Sequence, residues 1–115
     1  MPRGRVPELL VAIQEAADRH GVRVATFGHA GDGNLHPNFV FDRDDPRAAE
    51  LTEAVRDDIF RAALGLGGTV TAEHGIGLSR RAALVDQVGP DAIDVMRSIK
   101  AALDPLGILN PGRVI

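Results

Sequence analysis

Leu9, Ile13, Ala16 and His20 recur at alternating steps of four and three, the spacing of one helical face. The pattern predicts a helix from Pro7, a residue suited to the first turn, with Gly21 following as a stop. Residues 1–6 read as an extended lead-in. VRVATF, residues 22–27, changes to a strand pattern with β-branched residues, and NLHPNFVFD, residues 34–42, reads as a second strand. Pro37 inside it predicts an edge or irregular position. DRDDP, residues 42–46, is a polar turn with a helix N-cap. A long helix then runs to about Leu66, burying Leu51, Val55, Ile59, Ala62 and Leu66, and GLGG, residues 65–68, ends it. TVTAE, residues 69–73, predicts a short strand. Residues 79–88 predict a short helix closed by Gly89. Pro90 opens another, with an apolar stripe of Ile93, Met96, Ile99 and Leu103. DPLGILNPGRVI is a tail broken by two prolines and two glycines.

The order α-β-β-α-β-α-α implies an α+β fold. The expected architecture is a partial ferredoxin-like α/β sandwich, a small antiparallel sheet with helices on one face, followed by C-terminal helices and a tail. Residues 1–78 would form the ferredoxin-like part and residues 79–115 the helical part. Three strands leave a thin sheet with an unpaired edge, a sign of further chain in front.

Composition narrows the function classes. The 115 residues suffice for one small domain with a core. Hydrophobic residues make up 44% and charged residues 25%, an ordinary globular balance. The net charge of -3, with both signs interleaved, offers no basic stripe for nucleic acid. The absence of cysteine excludes disulfides, Cys-ligated zinc, iron–sulfur clusters and thiol nucleophiles. No apolar run approaches the roughly 18 residues of a transmembrane segment. The expected compartment is the cytoplasm, with peripheral membrane association through partners.

Candidate chemistry lies in two glycine-rich stretches. GHAGDGNLH, residues 28–36, carries two histidines seven apart. Asp-Gly favours a two-residue hairpin turn with positive φ at both positions. With Asp32 and Gly33 as that turn, His29 would face His36 on one side of the hairpin, and Asn38 would share their face. Two imidazoles so placed can share a divalent ion. A longer loop would weaken the pairing yet still let the histidines converge. The same spacing also fits a plain glycine-rich hairpin. Two ligands are too few for a catalytic zinc, which usually takes three. TVTAEHGIG, residues 69–77, offers Glu73 as the third, with His74 either pointing elsewhere or sitting at the turn as an acid/base. A solvent-exposed Glu-His pair at a strand end is the plainer alternative. Three of the four histidines lie in these two stretches, which favours a site. His20 fits a helix C-terminus, where the dipole favours it. In the tail, Ile108, Leu109, Val114 and Ile115 are apolar and would need another surface to cover them.

GHAGDGNLHPN, GGTVTAEHGIG and MRSIKAALDPLGILNPGRVI, in this order, resemble the C-terminal region of FAD-linked oxidases. That family includes glycolate oxidase, D-lactate dehydrogenase (cytochrome) and D-2-hydroxyglutarate dehydrogenase. The resemblance runs from about Val6 to Val114; each motif alone is weak, and the three in order are specific. It implies oxidation of a D-2-hydroxy acid to the 2-oxo acid, with FAD held by a separate flavin domain beneath a ferredoxin-like cap. It also implies a divalent metal, commonly zinc, on His29, His36 and Glu73, the metal orienting the substrate's carboxylate and hydroxyl. His74 would then take the hydroxyl proton as hydride leaves for the flavin. The resemblance makes Asn38 a substrate contact and puts Asn110, in the NPG of the tail, near FAD.

The resemblance also carries a departure. No part of this sequence can enclose a dinucleotide, and the family's substrate-anchoring basic residues lie before its start. The expectation is therefore the last part of a longer enzyme, with a flavin-binding domain supplied in cis or in trans. The isolated chain would be inactive because the hydride acceptor is elsewhere. One rival from another class is a non-catalytic metal-binding or interaction module left over from such an enzyme. A stand-alone zinc hydrolase is a second rival, but no oxyanion hole or substrate pocket marks one.

Overall fold

The computed structural model describes residues 1–42 and 44–115. Arg43, within the polar turn expected over residues 42–46, lies outside the described residues. The chain divides into two compact units, Met1–Thr69 and Val70–Ile115.

The first unit contains helix α1 (Val6–Arg19), strands β1 (Arg23–His29) and β2 (Asn34–Val40), and helix α2 (Ala48–Gly65). A short 3-10 turn, Arg3–Arg5, leads into α1, so the expected extended lead-in is partly coiled. Apolar periodicity explains both helices. Leu9, Ile13 and Ala16 of α1 are buried, and Val55, Ile59 and Ala63 of α2 meet them in one core with Val22. Ile13 and Val55 are the largest fully enclosed side chains.

The two strands form an antiparallel hairpin. Alternation assigns their faces. Val24, Leu35 and Phe39 share one face and pack against the helical core. Phe27, His29, Asn34, His36 and Asn38 belong to the opposite face. Pro37 pairs with Thr26 in a sheet whose two strands are both edges, the position its missing N–H tolerates.

The α+β class is as expected, with helices against one face of a small antiparallel sheet. The third strand is not formed: residues 69–73 have no strand geometry, and the sheet among the described residues has two strands. Val70 is buried and donates its backbone N–H to Gln87 Oε1 at 2.9 Å instead of to a neighbouring strand. A β-branched sequence lacking a ladder partner thus adopts an irregular path, since strand propensity reflects packing context.

The second unit contains helices α3 (Arg81–Val88) and α4 (Pro90–Leu103) and the tail. Val70, Ala83, Leu84 and Ile93 are its buried apolar residues. Of the apolar stripe on α4, Ile93 is buried, Met96 is half-buried, and Ile99 and Leu103 are exposed. The expected tail turn centres on Asp104, which is 7% exposed. Its carboxylate accepts from the backbone N–H groups of Ile108 at 3.1 Å and Leu109 at 3.0 Å, and from Lys100 Nζ. Lys100 also donates to the Leu109 carbonyl at 2.8 Å. These bonds satisfy the backbone N–H groups of Ile108 and Leu109 and the Leu109 carbonyl in the turn that follows α4.

Candidate functional site

The hairpin loop decides how the two histidines meet. It spans four residues, 30–33, rather than two. The His29 carbonyl accepts from the N–H of Asp32 at 3.2 Å and of Gly33 at 3.0 Å. Asp32 Oδ1 accepts from the Asn34 N–H at 2.9 Å, closing an Asx turn. Only Gly33 takes a positive φ here, +73°; Asp32 does not, so the two-residue turn is replaced. A Cβ at Gly33 would also lie 2.1 Å from the Met1 carbonyl oxygen.

The longer loop changes the pairing. His29 opposes Asn34, and His36 opposes Phe27, correcting the expected His29–His36 partnership. The shift is by an even number of positions, so the shared face survives. The rings stand diagonally, with centroids 5.6 Å apart and planes at 90°. One ligand nitrogen of each lies within 4.8 Å of the other. Two nitrogens bound to one tetrahedral zinc stand about 3.3 Å apart, from Zn–N bonds of about 2.0–2.1 Å. A modest side-chain rotation therefore suits the pair to one ion. Gly28, directly opposite Leu35 on the inner face, brings the strands close: a Cβ there would meet the Asn34 carbonyl at 2.4 Å.

Asn38 shares the histidine face and donates its amide to the His36 carbonyl at 2.9 Å. Phe27, 66% exposed, lies on the same face beside the site. Its place two residues before His29 is the signal in the sequence for that shared strand face.

Glu73 and His74 belong to the second unit, in an irregular loop. His74 Nε2 lies 3.3 Å from Glu73 Oε1, so carboxylate and imidazole are neighbours within that loop. Two arginines at the start of α3 serve the surrounding backbone. Arg80 Nη1 donates to the Gly75 carbonyl, and Arg81 Nη1 to that of Gly112, each at 3.1 Å. Asn110 sits in the tail with φ +47°, its carbonyl accepting from the Arg113 N–H at 3.2 Å.

His20 caps the C-terminal end of α1, as expected from its position. Its Nε2 also lies 3.0 Å from Asp58 Oδ2 on α2. Arg19 and Arg61 bond the same carboxylate. The His20 contact, then the two guanidinium groups, hold the Asp58 carboxyl below the usual carboxylate range against the opposing effect of burial.

Among the described residues, no helix is long and apolar enough to cross a membrane. The chain matches the family model for FAD linked oxidases, C-terminal domain, over residues 1–114. It is 40% identical over 114 residues to the glycolate oxidase protein GlcD of Bacillus subtilis, covering 99% of this chain and 24% of that protein. It is 39% identical over 115 residues to a probable mitochondrial D-lactate dehydrogenase of Danio rerio, covering 100% of this chain and 23% of that protein. Identity to D-lactate dehydrogenase of Archaeoglobus fulgidus is 34% over 116 residues, covering 100% of this chain and 25% of that protein. The chain thus spans about a quarter of the length of these curated relatives. With the match running from residue 1 to residue 114 through both glycine-rich stretches and the tail, the chain belongs to the FAD-linked oxidase family, as its C-terminal domain.

Proposed function

We propose that this chain is the C-terminal, substrate-facing part of an FAD-dependent oxidoreductase that converts a D-2-hydroxy acid of the lactate, glycolate or 2-hydroxyglutarate class to its 2-oxo acid. His29, His36 and Glu73 hold a divalent ion, with zinc the first choice. The set offers two imidazoles and one carboxylate, a donor chemistry that zinc takes in catalytic sites. When bound, the flavin accepts hydride and the metal acts as a Lewis acid toward the substrate's oxygens.

The chain's own residues do the rest. His74 takes the hydroxyl proton on a ring nitrogen, a role that requires hydrogen-bond reach to that hydroxyl. Its Nε2 lies 3.3 Å from Glu73 Oε1, so base and proposed metal ligand sit on the same loop. Asn38 presents an amide on the histidine face as a polar contact for the substrate. Asn110 contacts the flavin, which a flavin-binding domain in cis or in trans supplies. The exposed Leu106, Ile108 and Leu109 suit docking to that domain.

The observation that carries this reading is the His29–His36 pair on the outer face of the hairpin, in a chain that matches the family along its length. The test is calorimetric zinc titration of the chain, then D-lactate- or glycolate-dependent flavin reduction with a flavin-binding domain supplied in trans. One zinc per chain and rescued reduction, both lost in His36→Ala, are expected. Zinc binding without rescue by any flavin domain would favour the non-catalytic module; no zinc binding would remove the metal from the mechanism.

A further inference from the structure

The loop over residues 73–77 is fastened from two directions within the second unit. Arg80 Nη1 donates to the Gly75 carbonyl at 3.1 Å. From the other side, the Val114 N–H donates to the Gly77 carbonyl at 2.9 Å. Arg81 Nη1 reaches the Gly112 carbonyl at 3.1 Å and so ties that end of the tail to the start of α3. Loop, helix start and tail therefore close a ring of hydrogen bonds next to Glu73 and His74.

Two features show that local preference alone does not build this ring. Arg80 and Arg81 occupy the N-cap and first position of α3, and its first turn carries no acidic residue. The helix dipole disfavours cations there, so the arginines sit against their local preference. The tail is likewise held in a sparsely populated conformation: Asn110 has φ +47° and the β-branched Val114 has φ +69°. Such backbone persists only where surrounding contacts over-determine it. Here those contacts are the carbonyl of Gly77 for Val114 and the guanidinium of Arg81 for Gly112.

We propose that the tail over residues 110–114 is a strap that sets the conformation of the loop bearing Glu73 and His74, with Arg81 as its positioning residue. Its importance for turnover rests on the function proposed above; the strap itself does not. Arg81 touches no reacting group in this reading. It acts through Gly112, Val114 and Gly77 on the two residues that precede Gly75.

The test is NMR on the 15N-labelled chain without metal or flavin, comparing wild type, Arg81→Ala and Arg81→Lys. In Arg81→Ala, the Val114 amide should exchange at least about tenfold faster, the scale on which a lost closing contact opens a segment locally. The amide resonances of residues 73–77 and the His74 ring signals should move, while the amides of Ile13 and Val55 keep their positions. Arg81→Lys, which retains a donor, should recover part of the wild-type pattern. Unchanged signals for residues 73–77 and His74 in Arg81→Ala would overturn the strap. If Arg81→Ala unfolds, Arg81→Met, which keeps the bulk of the stem and loses every donor, takes its place with the same reading of its signals. Adding zinc separates the two claims. A wild type in which zinc moves neither His29 nor His36 signals would defeat the metal reading, while the strap would still be judged on the metal-free comparison.

Discussion

His36 stands diagonally across the hairpin from His29, with Phe27 rather than His29 directly opposite it. The two imidazoles meet edge to face, with their planes at 90°. The arrangement leaves each ring able to turn a nitrogen toward a common point. It also makes both histidines necessary, because neither neighbour on that face supplies an equivalent ligand. His29→Ala or His36→Ala should each weaken zinc binding by about 100-fold or more, beyond the 10–100-fold typical of losing an outer-shell partner. Asn38→Ala, on the same face, should leave zinc affinity nearly unchanged and raise KM in the reconstituted enzyme. Isothermal titration and steady-state kinetics check the two outcomes.

The glycines of the hairpin should divide sharply. Gly28→Ala places a methyl 2.4 Å from the Asn34 carbonyl oxygen and 2.8 Å from Leu35 Cδ2, where the strands must part. We expect a loss of about 1–3 kcal/mol by urea unfolding, the usual cost of overpacking. Gly31→Ala meets nothing within 4 Å and needs no positive φ. It should change stability by less than about 1 kcal/mol.

The core of the first unit rests on few large side chains. Ile13 is 1% exposed and Val55 fully enclosed, each facing the other helix's apolar stripe. Ile13→Ala should cost about 2–5 kcal/mol, combining lost burial with a cavity. The exposed Val11, on the same helix, should tolerate alanine within about 0.5 kcal/mol. Chemical denaturation of both variants makes the comparison.

Acid should loosen the contacts made by Asp104 and Asp58. The Asp104 carboxyl is held below its ordinary 3.8, first by Lys100 and then by the backbone N–H groups of Leu109 and Ile108, against desolvation. Asp58 is lowered in the same sense, chiefly by its bond to His20. A carboxyl with a lowered folded-state pKa binds fewer protons folded than unfolded. Its stabilisation is therefore complete above about pH 4 and is lost as pH falls through the lowered folded value. Carboxyl 13C titration should place both midpoints below 3.8. Lys100→Met should move the Asp104 midpoint upward, and a midpoint that stays put would show that the lysine is not its main partner.

The sequence by itself determined the helices and the inward faces of α1 and α2. Leu9, Ile13 and Ala16, then Val55 and Ile59, are buried as their spacing requires, because helix periodicity is local and burial follows it. It also determined that His29, His36 and Asn38 share one face, since the period of two survives an even change of register. Family membership was legible too, in three motifs whose order is fixed along the chain. The tertiary structure alone decided the hairpin register. Asp32 does not take the positive φ of a two-residue turn, and the His29 carbonyl captures two N–H groups. It also decided the fate of residues 69–73, where Val70 found the Gln87 side chain instead of a neighbouring strand. Asp104 and the two partners of Asp58 at the end of α1 were likewise invisible in spacing. Asp104 gathers backbone groups released by a turn, and Asp58 joins Arg19 and His20, which lie 39 and 38 residues away along the chain. Contacts between residues so far apart depend on how the elements pack, and no local pattern records that.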